Sequence, residues 1–176
     1  MPLIHVVPPD QAQGEIKEVY DAVKAVTGVL PRPLQMSSVS PELLKIQARI
    51  LKYFVGNPNL GLPLAAHIRY LIASHNNYQF CTDFNASLLT MFGNLTEEDL
   101  DAVGKDVTAA KLDDKDRAML EFVVKAIKDP SSTRAADTQR LRELGWTDQD
   151  IFDALYHGAG MVSAGIMFKA LKMDED

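Results

Sequence analysis

The side chains best equipped for chemistry fall in one stretch, Leu64 to Leu89, with the sequence LAAHIRYLIASHNNYQFCTDFNASLL. It holds Cys81, the only cysteine, together with His67 and His75, two of the four histidines. Apolar residues at Leu64, Ile68, Leu71 and Ile72 have helical spacing, Asn76-Asn77 interrupts them, and a second helix is predicted from near Tyr78 to about Met91. Residues three and four apart share a helix face, so Tyr78, Cys81 and Asn85 lie together at the start of that second helix. A helix N-terminus favours the thiolate, which makes Cys81 a candidate nucleophile. The chemistry open to one thiolate is oxidation to a sulfenic acid and reduction by an external thiol. His67 and His75, about 80° apart around a helix, are the candidate bases for Cys81.

Each assignment competes with a plainer one. A free cysteine usually behaves as a small buried hydrophobe. Histidines on a helix are commonly surface or interface residues. Asn76 and Asn85, with Tyr78 and Phe80, are candidate pocket residues, but asparagine is also frequent at helix ends and tyrosine, with an ordinary pKa of about 10, more often packs than donates protons. Asp83 would oppose a thiolate at Cys81 if it points the same way. His67, His75 and Asp83 lack the i,i+4 spacing of a helical ligand pair, so no metal and no cofactor is expected.

The elements that position these residues are predicted to be helices throughout. Asp10 is a candidate N-cap for a helix carrying Ile16, Val19, Tyr20, Val23 and Val26, stopped by Gly28. Pro31 and Pro33 predict a turn or short irregular segment. Ser40-Pro41 opens a helix with Leu43, Leu44, Ile50, Leu51 and Phe54. Thr96 to Asp99 and Thr147 to Asp150 resemble capping boxes. Asp113 or Asp114 caps a helix holding Met119 to Ile127, Thr133 starts a polar helix, and Gly145 stops it. The final helix carries small residues and is assigned, with Tyr156 and His157, to packing. The MDED tail, Met173 to Asp176, is expected to be solvated. No stretch alternates like a strand. The expectation is an all-α domain over 1–176, of seven or eight helices.

A hydrophobic content of 47% and a charged content of 24% fit a globular chain with a proper core. The net charge of -6 argues against nucleic acid, because phosphate neutralisation needs a surplus of Lys and Arg. One cysteine allows no intrachain disulfide, and MPLIHVVPPDQ lacks the pattern of a signal peptide. The uncharged run from Ala154 to Phe168 is shorter than the ~20 residues that span a bilayer and is read as a buried helix. A cytoplasmic protein without membrane or nucleic-acid partners is expected.

Three stretches, taken in order, resemble the alkylhydroperoxidase D-like branch of the carboxymuconolactone decarboxylase superfamily, in its peroxidase-related subgroup. They are GEIKEVYDAVKAVTGVLPRPLQMSSVSPELLK, then IASHNNYQFC, then LDDKDRAMLEFVVKAIKDPSSTRAADTQRLRELGWTDQDIFDAL. The resemblance implies an AhpD-like helical bundle with the site on a central helical hairpin, and a homo-oligomer, trimer or hexamer. The family's redox motif is a Glu, a Cys twelve residues on, a second Cys three later, and a His four after that. Those positions hold Ala66, Tyr78, Cys81 and Asn85 here. Gly165-Ile166 takes the place of an Asn-Arg pair common in the family's last helix. With one cysteine, an intramolecular dithiol cycle is excluded. Three readings follow: a weak or inactive peroxidase-type oxidoreductase using Cys81, His75 and His67 with an external thiol reductant; a lyase like carboxymuconolactone decarboxylase, independent of the cysteine; and a non-enzymatic oligomer that binds a small ligand on the same fold.

Overall fold

The computed structural model describes residues 2–173. Among them the regular elements are nine α-helices and three single-turn 3-10 segments, with no strand. This is the all-α architecture that the periodicities predict. The chain divides into two compact units, one comprising the chain up to Pro58 together with the segment from Ile166 on, the other Asn59–Gly165.

The N-terminal unit contains α1 (Gly14–Thr27), α2 (Arg32–Met36) and α3 (Pro41–Val55). Gly28 ends α1 in the left-handed region at φ 75° and returns its N–H to the Lys24 carbonyl, which a Cβ would disfavour. Asp10 does not cap α1. Gln13 holds that position, and Asp10 lies in a turn closed by Gln11 N–H on the Pro8 carbonyl at 3.0 Å. The two prolines expected to make a turn instead frame α2: Pro31 is its N-cap residue and Pro33 sits in its first turn, where a missing N–H is harmless. Tyr20, Val23, Leu34 and Leu44 form the core, with Ile16, Val19 and Leu51 packed on it. Tyr20 donates its hydroxyl to the Val7 carbonyl at 3.0 Å, and Val7 N–H donates to Ser38 Oγ at 2.8 Å. Met173, expected in a solvated tail, is buried, and its N–H bonds the Phe168 carbonyl at 2.9 Å. The rest of that tail, Asp174 to Asp176, lies outside the described residues.

The second unit is built on α4 (Leu62–His75) and α5 (Gln79–Gly93), packed side by side as a hairpin. Asn77 turns the chain between them at φ 56°, a left-handed conformation that asparagine tolerates. The Tyr78 N–H closes the turn on the Ala73 carbonyl at 2.9 Å. After the hairpin come α6 (Glu97–Lys105), α7 (Asp114–Lys128), α8 (Ala135–Glu143) and α9 (Asp148–Ala170). Both expected capping boxes form: Thr96 with Asp99, and Thr147 with Asp150. Thr133 does not start α8; its hydroxyl bonds the Pro130 carbonyl, and the helix begins two residues later.

Leu64, Ala66, His67, Ile68, Tyr70, Leu71, Ile72 and Ala73 of α4 are all buried. They lie around most of the helix, as in a core helix rather than a surface one, and leave one narrow strip on which Ala65 and Arg69 are half-buried. Gly158 lets α9 pass close by: a Cβ there would meet Val123 Cγ1 at 2.7 Å and Ile72 Cδ1 at 2.9 Å. The final helix is longer and less buried than the uncharged run suggested. It has 23 residues, and by length and composition alone it reaches what a membrane crossing needs. Phe152, Tyr156, Ile166 and Met167 are exposed on it.

Candidate functional site

Cys81 is the third residue of α5 and is buried, 4% exposed. Asn85, one turn on and 2% exposed, is the hinge of a short polar chain. Its Nδ2 donates to the Cys81 carbonyl at 2.7 Å, and its Oδ1 accepts from Arg69 Nε at 2.9 Å. Arg69 comes from the middle of α4 and interacts electrostatically with Cys81. Burial pulls its pKa down from the usual 12.5 to about 10, the nearby Cys81 opposing the shift, so the guanidinium is charged at neutral pH. None of the ion pairs among the described residues includes Arg69. The arrangement is a cation near a thiol at the N-terminal turn of a helix; both features favour thiolate, and the burial of the sulfur opposes it.

His157 of α9 completes this group. It bonds to the Ala65 carbonyl and feels the Arg69 charge. Burial first, and Arg69 second, push its pKa down to about 3, so it is neutral. The sequence reading gave His157 to packing and did not select Arg69. The available signal was a lone cation inside the apolar run Leu64 to Ala73, one helical turn after Ala65 and Ala66.

The two histidines proposed as bases go elsewhere. His67 is 1% exposed and its Nδ1 bonds the Pro63 carbonyl at 2.8 Å, while its Nε2 is sealed without a partner. Burial lowers its pKa despite that bond. It lies two residues before Arg69, about 200° away around the helix, and so projects from a different face than the cation beside Cys81. His75 is exposed; its ring bonds to the Gly104 carbonyl and lies near Lys128, and burial and Lys128 together lower its pKa.

The pocket residues also divide. Asn76 is exposed and caps α4, its Nδ2 donating to the Ile72 carbonyl at 2.7 Å. That is helix-end chemistry rather than pocket lining. Asp83 is exposed and accepts from Gln79 Nε2 at 2.7 Å, away from the buried thiol. Phe80 and Tyr78 are half-buried. The Tyr78 ring rests on Gly165, where an added Cβ would lie 2.0 Å from the ring. Among the described residues no group of three or more His, Cys, Asp or Glu side chains is placed to hold a metal ion. The structure therefore gathers Cys81, Asn85, Arg69 and His157, sets Tyr78 on Gly165, and disperses His67, His75 and Asn76.

No protein-family model matches the chain, and no curated protein does. Solved structures do. An uncharacterized peroxidase-related protein from Silicibacter sp. TM1040 superposes with a TM-score of 0.75 at 19% identity, over 97% of this chain and 87% of that one. A second, described as an alkylhydroperoxidase AhpD core and an uncharacterized peroxidase-related protein from Ralstonia eutropha JMP134, gives 0.80 at 20% identity, over 98% and 90%. The chain thus has the AhpD-like helical fold across nearly its whole length.

Proposed function

We propose that the hairpin is a one-cysteine thiol site and that the protein is an oxidoreductase of the peroxidase-related kind, with hydroperoxides as oxidants. The observation that carries this reading is the Arg69 cation held beside Cys81 by Asn85. In the reaction, the Cys81 thiolate attacks one oxygen of a hydroperoxide; an S–O bond forms, the O–O bond breaks, and the leaving alkoxide takes a proton to become an alcohol. An external thiol then attacks the sulfenic sulfur, forming a mixed disulfide and releasing water. A second thiol restores Cys81 and leaves as part of the disulfide product. Tyr78 stands where a resolving cysteine would be needed, so the reductant comes from outside.

The test is peroxide-driven oxidation of a small thiol by the purified protein, with the sulfenic acid trapped by dimedone. Activity lost in Cys81→Ser and reduced in Arg69→Met supports the reading. A Cys81 that alkylates only after unfolding would overturn it.

The burial of Cys81 favours a second reading, a cysteine-independent lyase like carboxymuconolactone decarboxylase or a small-ligand-binding protein. Either keeps its function in Cys81→Ser. We also read the protein as soluble, cytoplasmic and homo-oligomeric. Exposed Phe152 and Tyr156 on α9 and Met91 and Phe92 at the end of α5 support self-association, which light scattering tests.

A further inference from the structure

We infer that the Arg69 guanidinium is the receptor for the carboxylate of a small organic monoanion. Arg69 is the only Lys or Arg between Leu62 and Gly93. The positions from which a neighbouring acid would neutralise it along α4 are one turn away on either side. They hold Ala65, Ala66, Ile72 and Ala73, none of them ionisable. Among the described residues the only hydrogen bond from its side chain goes from Nε to Asn85 Oδ1, at 2.9 Å. Asn85 is neutral, so this bond orients the guanidinium plane without balancing its charge; Cys81 balances it only as a thiolate, and beside the neutral thiol the charge is uncompensated.

A charge carried into a core helix without a counter-ion is unfavourable unless something supplies one. The two Nη groups make no hydrogen bond among the described residues, yet they are not sealed as His67 Nε2 is. Part of their surface is therefore open, on a half-buried side chain. The guanidinium presents two parallel N–H donors, which match a planar carboxylate. One cation balances one negative charge. The nearby His157 does not add a second, since burial and Arg69 hold its pKa down at about 3. A phosphate dianion would be left half-compensated. Ala65, half-buried on the same face one turn earlier, is small and apolar, which suits an organic body behind the carboxylate.

This inference does not depend on the thiol reading, and the experiment separates the two. Acetate, butyrate and benzoate are titrated into the full-length protein by calorimetry, with benzamide as the uncharged control. Saturable binding of at least one carboxylate, absent for benzamide and weakened at least about tenfold, or 1.4 kcal/mol, in Arg69→Met, is the expected result. Saturable carboxylate binding by the native protein, with no peroxide-driven thiol oxidation by that same protein, would sink the thiol reading alone. No saturable binding of any of the three carboxylates, equal binding of benzamide, or undiminished binding by Arg69→Met overturns the inference. Should Arg69→Met fail to fold, the contrast between benzoate and benzamide on the native protein still decides it.

Discussion

Tyr20 in the N-terminal unit and Arg69 in the hairpin unit are both polar side chains carried by helices into apolar surroundings, and they end differently. The Tyr20 hydroxyl reaches the Val7 carbonyl, and the N–H of the same Val7 reaches Ser38 Oγ. Each polar group there answers another, and the rest of that core is apolar. Arg69 meets one neutral amide and no carboxylate, and on the same helix His67 keeps a sealed, unbonded nitrogen. Closed polar networks specify a fold. Open ones cost stability and persist where something else uses them. The difference is the reason the proposed site is placed in the hairpin.

Four measurements test this contrast. The largest effect is expected for Asn85→Leu, which strips Arg69 of its one acceptor in a buried setting and should destabilise by about 3 kcal/mol or more. Adding Arg69→Met should recover most of that loss in chemical denaturation. If the double variant is no more stable than the single one, Arg69 is not the uncompensated charge described. Next, Gly165→Ala places a methyl group inside the Tyr78 ring position and should cost about 1–3 kcal/mol, much of it returned by Tyr78→Ala. Thermal melts of the three variants decide this.

Acid should then distinguish the units. His67 and His157 both have folded pKa values below the unfolded value of about 6.5. Their stabilisation is complete above that pH and is lost as pH falls, because the unfolded chain binds the protons first. The loss is about 1.4 kcal/mol per pH unit per histidine until the folded pKa is reached, near 3 for His157. The N-terminal unit has one histidine, His5, and it is exposed. Amide exchange between pH 6.5 and 4 should therefore rise first in α4, α5 and α9. Earlier loss of protection in α1 and α3 would contradict this. The smallest effect is Tyr20→Phe, which removes a single closed hydrogen bond and should cost about 1 kcal/mol in urea unfolding, without altering carboxylate binding.

Much of this structure is legible in the sequence because local chemistry dictates it. Gly28, Ser40-Pro41, Asn76-Asn77 and the two Thr-to-Asp capping boxes mark boundaries that depend on a few adjacent residues. Asp10 misled because cap preference says nothing about which nearby turn uses the residue, and here Pro8 does. Arg69 was not legible because α4 is buried around most of its circumference, so its periodicity carries little direction and one cation on its half-buried strip looks like a solvated tip. His67 and His75 looked like partners for Cys81 by proximity in the chain. Rotation about the helix axis separates His67 from the Arg69 face, and the end of α4 turns His75 toward α6. Cys81 and Asn85 were legible as one face because their spacing is fixed by the helix itself.

The contact between Tyr78 and Gly165 has a consequence for anyone seeking to rebuild a dithiol on this hairpin. Changing Tyr78→Cys would supply a second sulfur three residues from Cys81, but would also remove the ring that fills the space over Gly165, leaving a hollow where the new thiol should be held in register. A larger residue at 165 alone has no room while the tyrosine stands. The two positions, far apart in the chain, are exchangeable only as a pair, and a design confined to the hairpin leaves out the second of them.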